Sequence, residues 1–435
     1  MATVAIIGGG CAGLGAAQAL LEKNQTVVLI DAYARLGGRA WTMPDQGFPF
    51  DLGPQFIQDP EVNPWATIAT ELGFETIARD DDAFKTIYRV EIQSVWQDSF
   101  GLPGMDPFEE QLKDGYESAI LFANMPPITK SFGRGQDAQL ALGSNGIGSI
   151  AESAEPWQYI ASDKARQKDG SGKVLYVKRG LGTLVQEFGA DLQRKYRAFL
   201  THRPSTVVTC VRFVSAQNQC EVFAGDQQVS TCDYCIVTVP CSALPAIAFI
   251  PPLSHERLVA NGYIVLGSYK KVAFQPQQMP QQIQQNAEYY LYDNNLKACW
   301  QYFRLPTAPQ ALIGVASGNF AASLDRKADN DAATSFVTAL STAYGQQIVS
   351  TQPPMVTNWS KQQQVWGAYS YTRYDGGNSD DPAPLNARIE IGKSHANGRI
   401  LFAGEATWTD AYGTIHGAYN SGVRAARVIL QNLGI

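Results

Sequence analysis

The stretch TVAIIGGGCAGLGAAQALLEKNQTVVLIDA, residues 3–32, decides the fold. It begins with an apolar run typical of a buried strand, continues through a glycine turn into an amphipathic helix, and ends in a second apolar strand. This order predicts a βαβ unit, from which parallel sheets with helices on both faces are built. We therefore expect a mixed α/β fold that contains a Rossmann-like domain.

The glycine turn has the spacing of a dinucleotide-binding site. Gly8 permits the tight turn, Gly10 lets the backbone approach a pyrophosphate, and Gly13 lets the helix pack on the strand. The helix N-terminus supplies N–H groups for the anion, and Asp31 follows the second strand, where it can accept hydrogen bonds from a ribose. An incidental glycine turn is the alternative, but the strands and helix around it favour a dinucleotide.

Composition places the chain among ordinary globular proteins. Its 435 residues are 45% hydrophobic and carry a net charge of −6, which disfavours non-specific binding to nucleic acid. The seven scattered cysteines form neither a disulfide framework nor paired metal-binding motifs, and the four histidines are not spaced as ligands. We expect no metal site, no nucleic-acid partner and a reducing compartment.

The N-terminus gives the expectation about location. The first residues, MATVAIIGGG, run into a strand without a basic leader, and no apolar run reaches the roughly 20 residues that span a bilayer. The sequence therefore predicts no membrane span and a cytoplasmic location, while the removal of an export signal is left open. A homodimer is also left open.

Three separated segments resemble one family. DAYARLGGRAWT followed by FDLG, at 31–42 and 50–53, is similar to the start of the flavin-dependent amine oxidases, which include monoamine oxidases, polyamine oxidases, lysine-specific histone demethylases and L-amino-acid oxidases. CDYCIVTVPCSALPAIAFIPPL, at 232–253, and GRILFAGEATWTDAYGTIHGAYNSGVRAARVIL, at 398–430, match this family too. The resemblance implies a discontinuous FAD-binding domain at residues 1–75, 175–255 and 385–435.

The remaining residues, 76–174 and 256–384, form the predicted substrate domain. We expect it to be built on a mixed sheet flanked by helices, with strands near 263–274, 288–303 and 311–318 and helices near 107–124 and 330–344. The chain has no long heptad insertion of the kind that histone demethylases use for partner binding, which disfavours a chromatin role.

The loop after the ribose acid is cationic. Arg35 and Arg39 flank a glycine pair that includes Gly38, so this loop can add charge to the pyrophosphate site. Arginines on a solvated turn are the ordinary alternative. Residue 368 is alanine where monoamine oxidases carry the cysteine that bonds the flavin, so we expect FAD without a covalent bond.

The resemblance implies further cofactor contacts. It places Glu405, which follows Gly404, at the FAD ribityl region, and Thr414 and Ile415 at the pyrimidine end of the flavin ring. The N-terminus of the last helix would stabilise negative charge on the reduced flavin. The resemblance also places Val208 at the adenine side, although an ordinary core valine fits the sequence equally.

Lys271 is the main catalytic candidate. In LGSYKKVAF, at 266–274, the family pattern of glycine, three residues and lysine matches Gly267 and Lys271. Strand alternation points Lys270 and Lys271 to opposite faces, so we expect one to be solvated and the other buried. The resemblance implies that Lys271 holds a water near the flavin N5. Without the resemblance, a solvent-facing lysine is the better interpretation.

Aromatic residues follow in NWSKQQQVWGAYSYTRY, at 358–374. Trp359, Trp366 and Tyr369 match the positions that pack near the flavin and line one wall of the substrate pocket in the family. We expect Tyr369 and Trp366 to desolvate the substrate amine. An aromatic core strand is the alternative for this stretch taken alone.

The opposite wall differs from monoamine oxidases. Thr414 stands where those enzymes have a second tyrosine, so the aromatic sandwich is incomplete unless Trp408 or Tyr412 substitutes. Thr414 is expected to line the flavin side of the reaction site. A substrate site with an aromatic wall on one side only favours a longer or bulkier amine over a small arylalkylamine.

The stretch DLGPQFIQ, at 51–58, bears on the substrate. L-amino-acid oxidases follow the DLG segment with an arginine that clamps the substrate carboxylate. This chain has Gln55 and Phe56, a neutral hydrogen-bonding group and an apolar wall. Amines are therefore favoured over amino acids, while Arg304 and Arg373 stay open as alternative carboxylate partners.

These observations predict an enzyme. The resemblance implies hydride transfer from the carbon next to an amine nitrogen to flavin N5, giving an imine that hydrolyses, with O2 reduced to hydrogen peroxide. An L-amino-acid oxidase and a flavin amine dehydrogenase with another acceptor are the nearest alternatives. An NAD-dependent dehydrogenase would share the first βαβ unit but would not need the loop at Gly404 and Glu405, and a non-catalytic flavoprotein is a further alternative.

Overall fold

The computed structural model describes residues 1–43, 47–80, 82–92, 95–98, 172–293, 298–373 and 383–435. Within this part of the chain, none of the helices has the length and apolar character needed to cross a bilayer. Its α-helices are α1 (Cys11–Leu21), α2 (Pro64–Glu71), α3 (Leu181–Lys195), α4 (His255–Tyr263), α5 (Gly318–Asp325), α6 (Asp329–Tyr344), α7 (Ala383–Gly392) and α8 (Ile415–Asn432), with 3₁₀ turns at Leu244–Ala246 and Glu405–Thr407.

Five parallel strands form the sheet that the first 32 residues predict. They are β1 (Thr3–Ile7), β2 (Thr26–Ile30), β10 (Leu200–Arg203), β14 (Tyr234–Val237) and β23 (Ile400–Phe402). Their order in space is β10-β2-β1-β14-β23, so chain order reads 3-2-1-4-5 across the sheet. Doubly wound dinucleotide-binding sheets have this order and bind ligands beyond the strand ends where it reverses, here between β1 and β14. The predicted Rossmann-like fold is confirmed.

The first and last helices pack closely against each other. A Cβ added at Gly422 would lie 1.9 Å from the main-chain oxygen of Ala12, and one added at Gly15 would lie 2.6 Å from that of Tyr419. Glycine at both positions therefore lets the two backbones approach. This contact packs together two helices that are about 400 residues apart in the sequence.

A seven-stranded sheet forms the second large element. Its strands are β7 (Lys85–Ile92), β8 (Val95–Asp98), β17 (Tyr269–Phe274), β18 (Ala287–Asp293), β19 (Ala298–Leu305), β20 (Ala308–Ser317) and β21 (Met355–Val356), in the order β21-β17-β20-β19-β18-β7-β8. All pairs are antiparallel except β18 with β7, so the predicted mixed sheet is confirmed. The predicted strand at 288–303 comprises two strands, and the helix predicted near 107–124 lies outside the described residues.

Smaller sheets connect these two. Their strands are β3 (Thr42–Met43) with β4 (Phe50–Asp51); β5 (Ile57–Gln58), β6 (Thr76–Ala78) and β9 (Val174–Val177); β11 (Cys210–Val214), β12 (Gln219–Ala224), β13 (Gln227–Cys232) and β15 (Ala248–Ile250); and β16 (Ile264–Leu266) with β22 (Ser370–Thr372). The sheet of β5, β9 and β6 joins strands on both sides of the predicted domain boundaries at 75 and 175. The domain boundaries stay predictions.

The two faces of the seven-stranded sheet have different partners. On one face, Val272 and Tyr302 pack with Phe336 of α6. On the other face, Val315 and Tyr290 belong to a separate cluster that reaches the segment around β4. Alternation along each strand thus separates a helix-covered face from a face that is turned toward the parallel sheet.

The two lysines of β17 point to opposite faces, but the expectation that one is solvated is wrong. Lys270 is fully buried, and Lys271 is 4% exposed. The Lys270 Nζ lies 2.5 Å from Asp325 Oδ1 and donates to the main-chain oxygen of Thr357 at 2.9 Å and to Asn358 Oδ1 at 2.8 Å. A lysine can be buried here because a carboxylate from α5 compensates its charge.

Replacing Lys270 with methionine is expected to destabilise the protein strongly, because Asp325 would be buried without its countercharge. We expect the free energy of unfolding to fall by about 3–5 kcal/mol. Urea unfolding followed by tryptophan fluorescence measures the change. The control is Lys393→Met, which removes the exposed partner of Glu390 and should cost under about 1 kcal/mol. Equal losses in the two variants would contradict charge compensation between Lys270 and Asp325.

Candidate active site

A cavity of about 850 Å³ extends from the carboxyl ends of the parallel strands to the face of the seven-stranded sheet that α6 does not cover. It therefore includes the position where doubly wound sheets bind ligands. The predicted site residues that line it are Gly8, Gly10, Asp31, Gly38, Arg39, Gln55, Phe56, Val208, Lys271, Trp359, Tyr369, Gly404, Glu405, Thr414 and Ile415. Five further predicted residues are not brought to its lining, namely Gly13, Arg35, Trp366, Trp408 and Tyr412.

The glycine turn fits a bound phosphate. A Cβ added at Gly13 would lie 1.9 Å from the Gly8 oxygen, so α1 packs tightly on the turn. At Gly10, by contrast, the protein atom nearest to an added Cβ would be the Cα of Gly38, at 3.9 Å. Packing within the protein therefore does not require glycine at residue 10, whereas a ligand that rests on this backbone does.

Asp31 follows β2 directly and faces the cavity. Its carboxylate accepts hydrogen bonds from the N–H of Gly9 at 2.5 Å and of Tyr33 at 2.7 Å. Burial raises the pKa of Asp31, and these main-chain bonds oppose the increase. Two carboxylate oxygens provide about four acceptor positions, so Asp31 can still accept a bond from a ribose hydroxyl.

Arg35 stacks against aromatic rings of the protein. Its guanidinium carbon lies 4.2 Å from the centre of the Trp41 ring and 5.5 Å from that of Tyr33. Its Nη2 is buried and has no hydrogen-bond partner among the described residues. The role of Arg35 at the pyrophosphate stays a prediction, because the structure turns its side chain onto the rings.

Arg39 and Glu405 form an ion pair in the cavity wall. Arg39 Nη1 lies 2.9 Å from Glu405 Oε1 and donates to the Ala368 oxygen at 2.6 Å. The other oxygen of Glu405 accepts from the Ser370 hydroxyl at 2.6 Å and from the Gly413 N–H at 2.9 Å. Three segments that are distant in sequence thus meet at one carboxylate.

Arg388 supports this carboxylate from a second layer. It is buried, and its Nη1 donates to Ser370 Oγ at 2.8 Å. Burial would raise the pKa of Glu405, but the charge of Arg39, the Ser370 hydroxyl and the charge of Arg388 together hold it below its ordinary value. Glu405 therefore stays ionised, and its position beside Gly404 in the cavity lining fits contact with a cofactor.

The N-terminus of α8 faces the cavity through Thr414 and Ile415. The Thr414 hydroxyl accepts from the Gly417 N–H at 3.0 Å and donates to the Ala411 oxygen at 2.6 Å, so it caps the helix. The Trp65 indole donates to the Ile415 oxygen at 3.2 Å. The positive end of this helix can stabilise negative charge in the cavity. Because the Thr414 hydroxyl is engaged in the cap, its catalytic role stays a prediction.

Lys271 is held by the last residue of β4 and the stretch that follows it. Its Nζ donates to the main-chain oxygens of Gly53 at 2.5 Å and Asp51 at 3.1 Å, and to Gln55 Oε1 at 3.3 Å. Burial lowers the pKa of Lys271 to about 8, and the charge of Asp51 opposes the decrease. A group with such a pKa can exchange a proton near neutral pH, as catalytic groups do.

Tyr369 lines the cavity together with a tyrosine that the sequence did not point to. The ring of Tyr269, on β17, lies 5.8 Å from that of Tyr369 at an interplanar angle of 56°. Trp359 is buried nearby, and its indole donates to the Leu52 oxygen at 2.8 Å. Alternation from Lys271 could have identified Tyr269, because residues two apart on a strand share a face.

The other predicted aromatic residues lie elsewhere. Trp366 is 43% exposed. The guanidinium of Arg424 lies 5.4 Å from the centre of the Trp408 ring, and that of Arg388 lies 3.6 Å from the centre of the Tyr412 ring. Each ring packs against an arginine outside the cavity lining, and the substitution of Trp408 or Tyr412 for the second tyrosine stays a prediction.

Gln55 and Phe56 both line the cavity. Gln55 is 8% exposed, and its Nε2 donates to Asp51 Oδ2 at 3.4 Å. The Phe56 ring meets the edge of Tyr176 at 6.0 Å and 71°. The side chain at residue 55 is therefore a neutral group held between a carboxylate and the Lys271 ammonium.

Sequence reasoning also missed the polar residues at the far end of the cavity. Gln301 Nε2 donates to Glu288 Oε2 at 2.6 Å and to the Tyr290 hydroxyl at 3.0 Å. The strand register places Lys271 opposite Val315, Val315 opposite Gln301 and Gln301 opposite Tyr290. These residues share one face, but the register that joins them is not readable from one sequence.

The doubly wound sheet, the glycine turn and the cavity beyond the strand ends define a class of protein, the dinucleotide-binding α/β proteins. Comparison with protein families identifies the particular group, because a family described as flavin containing amine oxidoreductase matches residues 11–430. The chain belongs to this family. Flavin as cofactor is thereby confirmed, and the FAD is not covalently bound at residue 368, because alanine offers no thiol.

Curated relatives are similar over nearly the whole chain. Polyamine oxidase 3 of Oryza sativa subsp. japonica is 24% identical over 97% of this chain and 87% of that protein. Lysine-specific histone demethylase 1B of Mus musculus is 24% identical over 98% of this chain but 52% of that protein. The chain thus spans about half the length of this demethylase.

Solved structures show the same fold. The cyclohexylamine oxidase from Brevibacterium oxydans IH-35A has a TM-score of 0.80 at 18% identity and is covered completely in both chains. A putrescine oxidase bound to putrescine has a TM-score of 0.78 at 16% identity, covering 99% of both chains. At these identities the likeness shows the fold alone.

Gly10→Ala is expected to weaken FAD binding by at least about tenfold while the protein stays folded, because the added methyl has room within the protein but projects toward the ligand. Gly13→Ala should instead cost about 1–3 kcal/mol of stability, since its methyl would meet the Gly8 oxygen. Gly262→Ala is the matched control, because an added Cβ there would meet nothing within 4 Å apart from its chain neighbours and the backbone of its own helix. Flavin absorbance after gel filtration and the Tm separate the effects. Full FAD retention in Gly10→Ala would contradict the assignment.

Proposed function

We propose that the protein is an FAD-dependent amine oxidase that takes hydride from the carbon next to an amine nitrogen. The product is an imine that hydrolyses to a carbonyl compound, and O2 is the proposed electron acceptor. When bound, FAD supplies the group that accepts the hydride. The observation that carries the proposal is the buried Lys271, which lines the same cavity as the dinucleotide turn.

The parallel sheet would hold the cofactor. The backbone at Gly10 and the N-terminus of α1 would bind the pyrophosphate, and Asp31 would bind a ribose. Glu405 and the N-terminus of α8 would contact the flavin end, because they line the same cavity as Lys271. These assignments use residues from both ends of the chain.

The other half of the cavity would present the amine without its proton. An alkylammonium has a pKa near 10.4, so removing its proton to give the neutral amine costs roughly 4.6 kcal/mol of free energy at pH 7. The rings of Tyr369 and Tyr269 disfavour the cation by excluding water. A charged Lys271 acts in the same direction, because two cations in one buried site repel each other.

We propose that the substrate is a long amine with a second cationic group. The carboxylate of Glu288 lies at the far end of the cavity beside the Tyr290 hydroxyl. Tyr290 is in the same row across the sheet as Lys271 and three strands away, roughly 14 Å along the sheet. A second cation could pair with this carboxylate only in an extended substrate. The names of the relatives, polyamine oxidase and putrescine oxidase, support this class.

The arginines do not favour an amino-acid substrate. Arg304 lines the cavity, but its guanidinium donates to the Pro309 oxygen at 2.6 and 2.9 Å and to the Ile283 oxygen at 3.3 Å. Arg373 is exposed and is not part of the cavity lining. A carboxylate would have to compete with main-chain oxygens for Arg304, so we keep the amine as the proposed substrate.

Anaerobic mixing of the holoenzyme with amines, polyamines and amino acids tests this function. Bleaching of the flavin is expected with long diamines and polyamines, and more slowly with small arylalkylamines. Lysine and its decarboxylated diamine form a matched pair. Faster bleaching by lysine would reassign the protein to the L-amino-acid oxidases, and no bleaching by any compound would favour a non-catalytic flavoprotein.

Lys271→Met is expected to lower the rate of amine oxidation by about 10²–10⁴-fold without loss of FAD. Because the pKa of Lys271 is about 8, the charged form dominates below and the neutral form above that pH, and the wild-type rate should change across it. This part of the pH profile should disappear in the variant. The control is Lys361→Met, an exposed lysine outside the cavity lining. A Lys271→Met profile identical to wild type would contradict the role.

A further inference from the structure

The three hydrogen bonds of Lys271 use all the donors that a lysine has. A protonated side chain carries three N–H groups. Two of its acceptors, the oxygens of Asp51 and Gly53, are main-chain atoms, and the third is Gln55 Oε1. Gln55 is therefore the one acceptor of Lys271 that can leave by a side-chain rotation alone.

We propose that Gln55 is a positioning residue that occupies the third N–H of Lys271, so that a molecule in the cavity can bond to Lys271 only when the Gln55 carbonyl moves away. This inference rests on the proposed role of Lys271 in amine oxidation. Both Gln55 and Lys271 line the cavity, so displacement would expose the lysine nitrogen to a water or to the substrate.

Asp51 fixes the orientation of the Gln55 amide. Its carboxylate accepts from Thr42 Oγ1 at 2.5 Å, from the N–H groups of Leu181 at 3.0 Å and Gly182 at 2.9 Å, and from Gln55 Nε2 at 3.4 Å. Four donors fill its acceptor positions. Burial raises the pKa of Asp51, and the bonds from Gly182 and Thr42 oppose the increase.

A flipped Gln55 amide would face wrong partners on both sides. Its carbonyl would meet the Asp51 carboxylate, and its NH₂ would meet the Lys271 ammonium. The observed orientation is therefore the one that both charges favour. It presents an acceptor to Lys271 for as long as the lysine is protonated.

Loss of a proton from Lys271 changes this arrangement. A neutral amine has two N–H groups and one lone pair, and the two main-chain oxygens can take both N–H groups. The Gln55 carbonyl would then face the lone pair, which repels it. Deprotonation therefore releases Gln55 and leaves Lys271 able to accept a hydrogen bond from the cavity.

Asp51, on β4, is the main charged neighbour that influences the pKa of Lys271, and it raises that pKa against the effect of burial. The hydrogen bonds of the Lys271 Nζ go to none of the other titratable groups that line the described cavity, which are Cys11, Asp31, Tyr33, Arg39, Arg79, Asp80, Tyr176, Tyr269, Glu288, Tyr290, Arg304, Tyr369, Glu405 and His416. A titration near pH 8 that Gln55 alters can therefore be attributed to Lys271.

The test is Gln55→Met in the holoenzyme, with ¹³C-labelled lysine and the Lys271 signal assigned from Lys271→Met. The wild-type pKa should be about 8. The variant should titrate about one pH unit lower, because the ammonium loses an acceptor. The pH profile of anaerobic flavin reduction should shift equally. The control is Gln58→Met, a glutamine of the same cavity that does not contact Lys271, and it should leave the Lys271 pKa in place.

An unchanged or higher Lys271 pKa in Gln55→Met would overturn the proposal. If that variant fails to fold, wild-type holoenzyme with ¹⁵N-labelled glutamine decides, because the Gln55 amide signals should change at the same pH as Lys271. Amide signals that do not change would also overturn it. These NMR results do not depend on turnover. If no amine reduced the flavin, the proposed function would be contradicted, but the NMR test of Gln55 would still be valid.

Discussion

The main-chain carbonyls of residues 51–53, at the end of β4 and just after it, accept hydrogen bonds inside the protein, and the arrangement of the site depends on which groups donate them. Lys271 donates to the oxygens of Asp51 and Gly53, and Trp359 donates to that of Leu52. Both donors belong to the side of the seven-stranded sheet. A buried carbonyl without a partner costs about 1–3 kcal/mol, so these bonds fix the lysine and also hold residues 51–53 against the side of the seven-stranded sheet.

Gly53 connects the same segment to the cofactor side. A Cβ there would lie 1.9 Å from the Arg39 oxygen, so only glycine lets the two backbones meet. Arg39 in turn pairs with Glu405, which accepts bonds from Ser370 and Gly413. Packed backbone and a buried ion pair therefore connect the two sides of the cavity, and glycine at residue 53 has a structural reason.

Local patterns are sufficient to predict the parallel sheet, the glycine turn and Asp31, because each depends on neighbours within one βαβ unit. Strand alternation also predicts that Lys271 and Lys270 lie on opposite faces of β17. The burial of Lys270 does not, because its partner Asp325 comes from a helix far along the chain. The sequence pattern places Trp366 and Tyr369 on one wall, yet Trp366 has a φ of 51°, where the backbone turns and leaves its ring exposed. Contacts between residues that are distant in sequence, and the directions of side chains on loops, depend on strand register and loop geometry, which cannot be read from one sequence.

The strand order of the parallel sheet has a consequence for biosynthesis. Within this sheet the central strand β1 is made before its neighbours, β14 and the edge strand β23 are synthesised much later, and α8, which packs against α1, follows β23. Since chains emerge from the ribosome from the N-terminus onward, the nascent polypeptide carries an incomplete nucleotide cradle for most of translation. Flavin loading is therefore expected to be a late event that follows the synthesis of α8.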